Sequence, residues 1–282
     1  MSSIGKDLGK SQRPQYVIEH MEEDDPDAPS VFPKWALLEY RHMLDLVGPG
    51  STVHFTSLSK ASLESLRSLL TTSPSSSNAA ARADFELHTS SITTLATERG
   101  IPLSKICLLD PKAKKALSVK DSGIHRKPSQ PREEEEEEEE TFDYYLFGGI
   151  LGDDPPRDRT ASLRQLGFPG RNLGSIQMTT DTALGVTKKV VEDGLWLNVP
   201  ELIEQAQQDD VLDLELEKSL AKGKLEWVQY PELKFGKGES VEMPFRYMVD
   251  PNLSSSPSSP SPLMPPGMRE LIKDDLNRSF EF

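Results

Sequence analysis

A single cysteine, Cys107, occurs in the 282 residues. No intrachain disulfide can form, so the expected redox setting is that of the cytosol or nucleus. Cys107 lies in the apolar run KICLLD with no histidine nearby in sequence to activate a thiolate. It reads as a small buried hydrophobe. Long apolar runs are missing too: no stretch reaches the about 18 apolar residues of a membrane span. The first residues, 1–14, read as a polar, flexible leader without the apolar segment of a secretory signal. A soluble, cytoplasmic protein is expected.

Several chemical signatures are also absent. No G-x-x-x-x-G-K-[ST] occurs, which removes the P-loop. Gly148, Gly149 and Gly152 form GGxxG rather than the G-x-G-x-x-G of dinucleotide folds. G-x-S-x-G is missing, so no hydrolase elbow is supported. The five histidines show no H-x-x-x-H spacing, and with one cysteine no metal site is expected.

Charge is abundant and lopsided. The chain has 46 acidic and 32 basic residues, a net charge of −14. Eight of the acids form one run at 133–140, and without them 38 acids against 32 bases leave −6. That balance disfavours binding to a bare phosphate backbone and suits a basic protein partner. Mean hydropathy is −0.51, lowered by low-complexity tracts.

The most informative stretch is 142–160, FDYYLFGGILGDDPPRDRT. An aromatic run of strand length leads into the glycines, where the backbone can approach a ligand without a Cβ in the way. Asp153 and Asp154 precede Pro155-Pro156, which stiffen the exit. Arg157, Asp158 and Arg159 close the loop. A strand, a glycine turn and fixed charges are how an open α/β sheet presents a site at a strand's carboxyl end. The competing reading is a structural hairpin with a solvated tip. The prolines and the charges of both signs favour a site.

Strand-like runs at 16–18, 53–55, 105–110, 142–147 and 225–230 alternate with helical patterns. One helix opens with Pro33 as its first residue and stops at Gly48. A second is capped by Ser59, a third covers 91–99, a fourth 161–166, and another runs through Val186, Val190 and Val191. A terminal helix is expected within 267–282, behind a Ser/Pro linker at 251–266. Insertions are expected at about 71–84, 120–141 and 198–222, with 120–141 a disordered charged linker. The whole reads as an α/β domain over 15–250 with a mostly parallel sheet and helices on both faces. Three strand ends carry polar groups: Glu19-His20, Asp110, and 148–153. His20 taken alone is more often a satisfied structural histidine than a catalyst.

Read in order, YVIEHMEE, CLLDP, FDYYLFGGILGDDPPRDRT, QMTTDTA, YPELKF and EMPFRYM resemble one family of SPOUT-fold methyltransferases. Its best-known fungal member methylates an arginine of a KH-domain ribosomal protein of the small subunit. The resemblance covers most of 15–250 and rests chiefly on the long loop and QMTTDTA. It departs at Asp154, where the family pattern has histidine. It implies a trefoil knot near the carboxyl end, S-adenosyl-L-methionine as cofactor, methyl transfer to an arginine side chain, and a monomeric protein acting on a basic ribosomal protein.

Under that resemblance two turn segments would enclose the cofactor. One is Phe147, Gly148, Gly149, Ile150, Leu151 and Gly152; the other contains Gln177, Met178, Thr179 and Thr182. His20, Met21, Asp110 and Arg159 are the further cofactor-binding candidates. The acceptor guanidinium is cationic and a poor nucleophile, so a carboxylate must orient it and favour loss of its proton. Asp153, Glu19, Asp158 and Asp181 are the candidates. Two other functions compete: an RNA methyltransferase, the activity of most SPOUT relatives, and a non-enzymatic ribosome-associated module that binds the cofactor.

Overall fold

The computed structural model describes residues 13–28, 30–72, 81–125, 140–149, 160–209, 218–236, 238–253 and 260–279. At its centre stands a six-stranded sheet. Its strands in chain order are β1 (Gln15–Glu19), β2 (Thr52–Thr56), β3 (Asp84–Leu87), β4 (Ile106–Leu109), β5 (Tyr144–Gly148) and β6 (Gly170–Arg171). They lie in the order β3-β2-β1-β5-β4-β6, and every pair is parallel. All carboxyl ends therefore share one edge. The order of strands reverses between β1 and β5, the place where open α/β sheets gather ligands.

Side-chain alternation divides the core in two. Tyr16, Ile18, Val53, Phe55, Cys107, Leu109, Tyr145 and Phe147 point to one face. That face is covered by α1 (Lys34–Val47), α2 (Lys60–Thr71) and α5 (Thr180–Val191). Val17, Ile106, Leu108 and Leu146 point to the other, under α3 (Ile92–Arg99) and α4 (Thr160–Arg164). Each such fully buried side chain contributes about 1.5–3 kcal/mol over its exposed state. Cys107 belongs to this packing, and burial pushes its thiol well up, away from a reactive thiolate.

The helix caps follow the sequence closely. Ser59 and Ser91 each accept a hydrogen bond from a main-chain N–H of the first turn, at 2.9 and 3.4 Å. Pro33 differs from the expected position. It occupies the cap of α1 rather than the first helical turn, its ψ of 131° being extended. The strand β3 has no counterpart in the sequence reading, because the acids of DFEL mask a short edge strand. A β-hairpin of β10 (Glu232–Gly236) and β11 (Glu239–Glu242) was not anticipated either. The smaller elements are β7 (Leu195–Trp196), α6 (Pro200–Asp209), β8 (Gly223–Lys224), β9 (Trp227–Gln229) and β12 (Arg246–Met248), followed by α7 (Met268–Ser279). Among the described residues no helix is long and apolar enough to cross a membrane.

The expected linker at 120–141 has packed ends, while its middle, with most of the acidic run, lies outside the described residues. Asp121 is buried and bonded to Arg171, and Glu140 reaches Arg171 at 3.0 Å and Lys115 at 3.4 Å. Deleting 133–139 should leave Tm within about 2 °C, since such a tract cannot bury apolar surface. Extending the deletion to Glu140 removes a ligand of a buried guanidinium and should lower Tm measurably by thermal scanning.

Candidate active site

The carboxyl ends of β4 and β5 open on a cavity of about 330 Å³. Its size is that of a small-molecule site, about 300–1,000 Å³. Leu109, Phe147, Leu173, Ile176, Met178 and Ala183 supply apolar walls. Asp110, Thr160, Arg164 and Gln177 add polar groups, and the main chain of Gly148, Gly149 and Gly174 completes the lining.

Asp110 follows β4 directly and is buried. Burial alone pushes its carboxyl up, but Arg164, the Lys112 main-chain N–H and Thr160 outweigh it and hold it below its ordinary value. Arg164 Nη2 donates to Asp110 Oδ1 at 2.7 Å, and the Lys112 N–H donates to the same oxygen at 3.0 Å. The ion pair ties the first helix after the loop to the end of β4. Asp110 thus lines the cavity as an anchored carboxylate.

The rim opposite is built by a glycine turn. Asn172 Oδ1 accepts from the Gly174 N–H at 3.0 Å, and Gly174 has φ +103°, a conformation that a side chain would strain. A Cβ there would also meet Glu201 Oε1 and Val199 at 2.9 Å. Glu201, on α6, is bound bidentately by the fully buried Arg246 at 2.7 and 3.0 Å and accepts from the Ser175 N–H at 3.2 Å. The Arg246 N–H in turn donates to the Gln177 carbonyl at 2.9 Å. The start of the expected 198–222 insertion therefore holds the cavity rim in place.

The head of α5 faces the same space through Thr180 and Ala183. Thr179 makes no side-chain cap; its hydroxyl donates to Thr182 Oγ1 at 2.8 Å instead. The main-chain N–H groups of the first turn are then not capped by it, and with the helix dipole they suit an anionic group of a ligand.

Beneath that turn lies a buried acidic cluster. Asp181 is fully buried, and its Oδ2 lies 2.7 Å from His42 Nδ1. Asp181 Oδ1, Glu39 Oε2 and the Tyr247 hydroxyl are buried without a hydrogen-bond partner among the described residues. Burial first, and the Asp181 charge second, push the Glu39 carboxyl well up, and burial first, with the Asp181 and Glu39 charges, pushes the Tyr247 hydroxyl up as well. A raised acid binds its proton more tightly folded than unfolded. Its stabilising effect is full below the ordinary Glu value and is lost as pH rises through the raised one. Glu39→Gln should therefore raise Tm at neutral pH by about 2–4 °C, near 1 kcal/mol in a domain of this size, with the gain vanishing at acid pH. Thermal scans of both proteins from pH 4 to pH 8 check the sign.

Among the candidates read from sequence, the structure brings Asp110, Phe147, Gly148, Gly149, Gln177 and Met178 to one cavity. Thr179, the cap of α5, and Thr182 in its first turn are not in the lining. Glu19 lies apart from the lining: its oxygens accept from Thr56 and Ser57 hydroxyls at 2.5 Å and from the Ile92 N–H at 3.0 Å. Asp181 is likewise off the lining, engaged with His42. His20 is buried, 2.7 Å from the Tyr40 hydroxyl and stacked on Phe32. Met21 packs on Gly149, where an added Cβ would meet Met21 Cβ at 2.7 Å. Bulk at Gly149 therefore collides first with the end of β1 rather than with a ligand. Ile150, Leu151, Gly152, Asp153, Asp158 and Arg159 lie outside the described residues, yet their flanking neighbours Gly149 and Thr160 both line the cavity. Arg164, Leu173, Ile176 and Thr180 escaped the sequence reading. The turn at Arg171-Asn172-Leu173-Gly174 could have flagged Leu173, whereas nothing local links Arg164 to Asp110.

Comparison with known proteins agrees over nearly the whole length. The family model described as protein arginine N-methyltransferase SFM1-like matches residues 15–279. Protein arginine N-methyltransferase SFM1 of Saccharomyces cerevisiae is 31% identical over 279 residues, covering 95% of this chain and 98% of that one. The crystal structure of yeast arginine methyltransferase SFM1 complexed with SAM superposes with a TM-score of 0.62 at 29% identity, covering 95% and 93% of the two chains. The complex of the yeast enzyme with SAH gives 0.60 at 29% identity, covering 92% and 94%.

Proposed function

Because this chain belongs to the SFM1-like family of protein arginine N-methyltransferases, we propose that it methylates an arginine of a basic ribosomal protein of the small subunit, acting in the cytoplasm as a monomer. The observation that carries the reading is the cavity where Phe147, Gly148 and Gly149 after β5 meet Gln177, Met178 and the head of α5. Both segments lie in the motifs most specific to the family.

The residues present fit S-adenosylmethionine, the cofactor of the family. Leu109, Phe147, Leu173, Ile176 and Met178 offer an apolar wall to a flat base, and the first turn of α5 offers N–H groups to a carboxylate. The bound cofactor supplies a methyl group already activated on a sulfonium sulfur. The chain has no covalent chemistry to perform, and positioning should provide most of the rate. Its carboxylates have two tasks: to pair with the planar guanidinium and aim one nitrogen, and to favour loss of that nitrogen's proton. Glu19, Asp110 and Asp181 are held by partners within the fold, so Asp153 and Asp158 carry this proposal. The knot implied by the family resemblance is part of the same proposal. The residual charge of −6 supports a basic protein acceptor over an RNA backbone.

Radiolabelled methyl transfer onto total small-subunit ribosomal protein and onto total rRNA tests the assignment. Label is expected on one basic protein, as methylarginine after hydrolysis. Label on rRNA alone would make the chain an RNA methyltransferase, and no label with intact cofactor binding would make it a non-enzymatic module.

A further inference from the structure

On the sheet face away from α1, three ligand-type side chains converge that lie far apart in sequence or on different strands. Parallel register sets His54 of β2 beside Glu86 of β3, and His88 follows on the same side with the period of a strand. Glu86 Oε2 lies 3.5 Å from His54 Nδ1 and 3.2 Å from His88 Nε2, and the two nitrogens are 3.4 Å apart. Two of these separations are too long for good hydrogen bonds. They match the spacing of about 3.3–3.4 Å between ligands sharing a tetrahedral zinc at bond lengths of about 2.0–2.1 Å.

The second shell is also in place. His54 Nε2 lies 2.6 Å from Gln15 Oε1. An amide oxygen only accepts, so Nε2 carries the proton and Nδ1 turns its lone pair towards Glu86 and His88. The His54 side chain is 1% exposed, His88 15% and Glu86 43%, which leaves an open side towards solvent. Arg99 of α3 also pairs with Glu86 and is the competitor for that carboxylate.

We propose that His54, Glu86 and His88 form a site for a divalent transition ion of the zinc class, which ties the edge strand β3 to β2. None of the three lines the cavity at the carboxyl edge, so the proposal stands independently of the methyl-transfer reading. With one carboxylate and two imidazoles, the donor set suits zinc over magnesium or calcium.

The test is calorimetric titration of the untagged, chelator-stripped full chain with Zn²⁺, paired with visible absorption on Co²⁺ loading. One equivalent should bind at micromolar affinity or tighter, with Co²⁺ bands of low coordination number. At a free zinc concentration about 100-fold above Kd, Tm should rise by about 5–10 °C. His88→Ala and Glu86→Gln, at partly exposed positions, should each weaken binding by at least about 10-fold, and Gln15→Leu by about 10–100-fold through the second shell. Arg99→Gln should tighten it. Affinity no better than millimolar, or one-equivalent binding unchanged in both His88→Ala and Glu86→Gln, would overturn the site even if His54→Ala fails to fold.

Discussion

Asp153→Asn should lower kcat by about 10²–10⁴-fold, the range for loss of a general base, while leaving cofactor affinity near that of the parent. The argument is one of elimination joined to position. Glu19 accepts hydrogen bonds from the Thr56 and Ser57 hydroxyls and from the Ile92 N–H at the head of α3. Asp181 is fully buried against His42, and Asp110 is bound by Arg164. Asp153 lies in the glycine-rich stretch between Gly149 and Thr160, and both of those residues line the cavity. Pro155-Pro156 restrict the backbone immediately after it. An asparagine keeps the shape but cannot take a proton or pair its charge with a guanidinium. Single-turnover rates and calorimetry on the same preparation separate chemistry from binding. If turnover is near normal, the role passes to Asp158. If cofactor affinity or Tm falls with the rate, Asp153 instead pairs with a loop arginine to hold the fold.

Arg171→Met is the substitution expected to cost the most stability, about 3–5 kcal/mol by chemical denaturation. The Arg171 side chain is 7% exposed and Asp121 5%, with Nη2 2.9 Å from Oδ1. Arg171 Nε reaches the same carboxylate at 3.0 Å, Glu140 accepts a further bond, and the guanidinium sits 4.9 Å over the Phe142 ring. A buried pair of this kind adds little over a well-packed apolar pair. Removing one partner is what costs, because Asp121 is left charged in a low-dielectric interior. Two consequences follow. The double variant Arg171→Met/Asp121→Leu should recover part of the loss, limited by the Ser118 N–H that Asp121 also serves. Because Arg171 closes β6 just ahead of the Asn172–Gly174 rim, cofactor affinity should fall with stability. A loss below about 1 kcal/mol for the single variant would show that Asp121 reaches solvent or another cation.

These two residues also show what sequence can and cannot reveal. Asp153 stands out as a candidate from sequence alone, because glycines, paired acids and prolines in one short stretch are local chemistry, and it lies outside the described residues. Arg171 carries no local signal of its role, since its partners at 121 and 140 are brought to it by the pairing of β4 with β6. From sequence 198–222 is expected only as an insertion. That Glu201 within it bonds Arg246 and braces the cavity rim is not legible there.

By itself the sequence determined the alternation of strands and helices, the serine caps and the burial of Cys107. All of these arise from periodicity, φ preferences and hydrogen bonds spanning a few residues. Tertiary structure alone decided the strand order β3-β2-β1-β5-β4-β6 and which carboxylates, Glu19, Asp110 and Asp181 among them, are consumed by partners. It also alone set His54, Glu86 and His88 together on one sheet face. The reason is range: parallel pairing joins strands through long crossovers, so neighbours across the sheet leave no mark in the local spacing of residues.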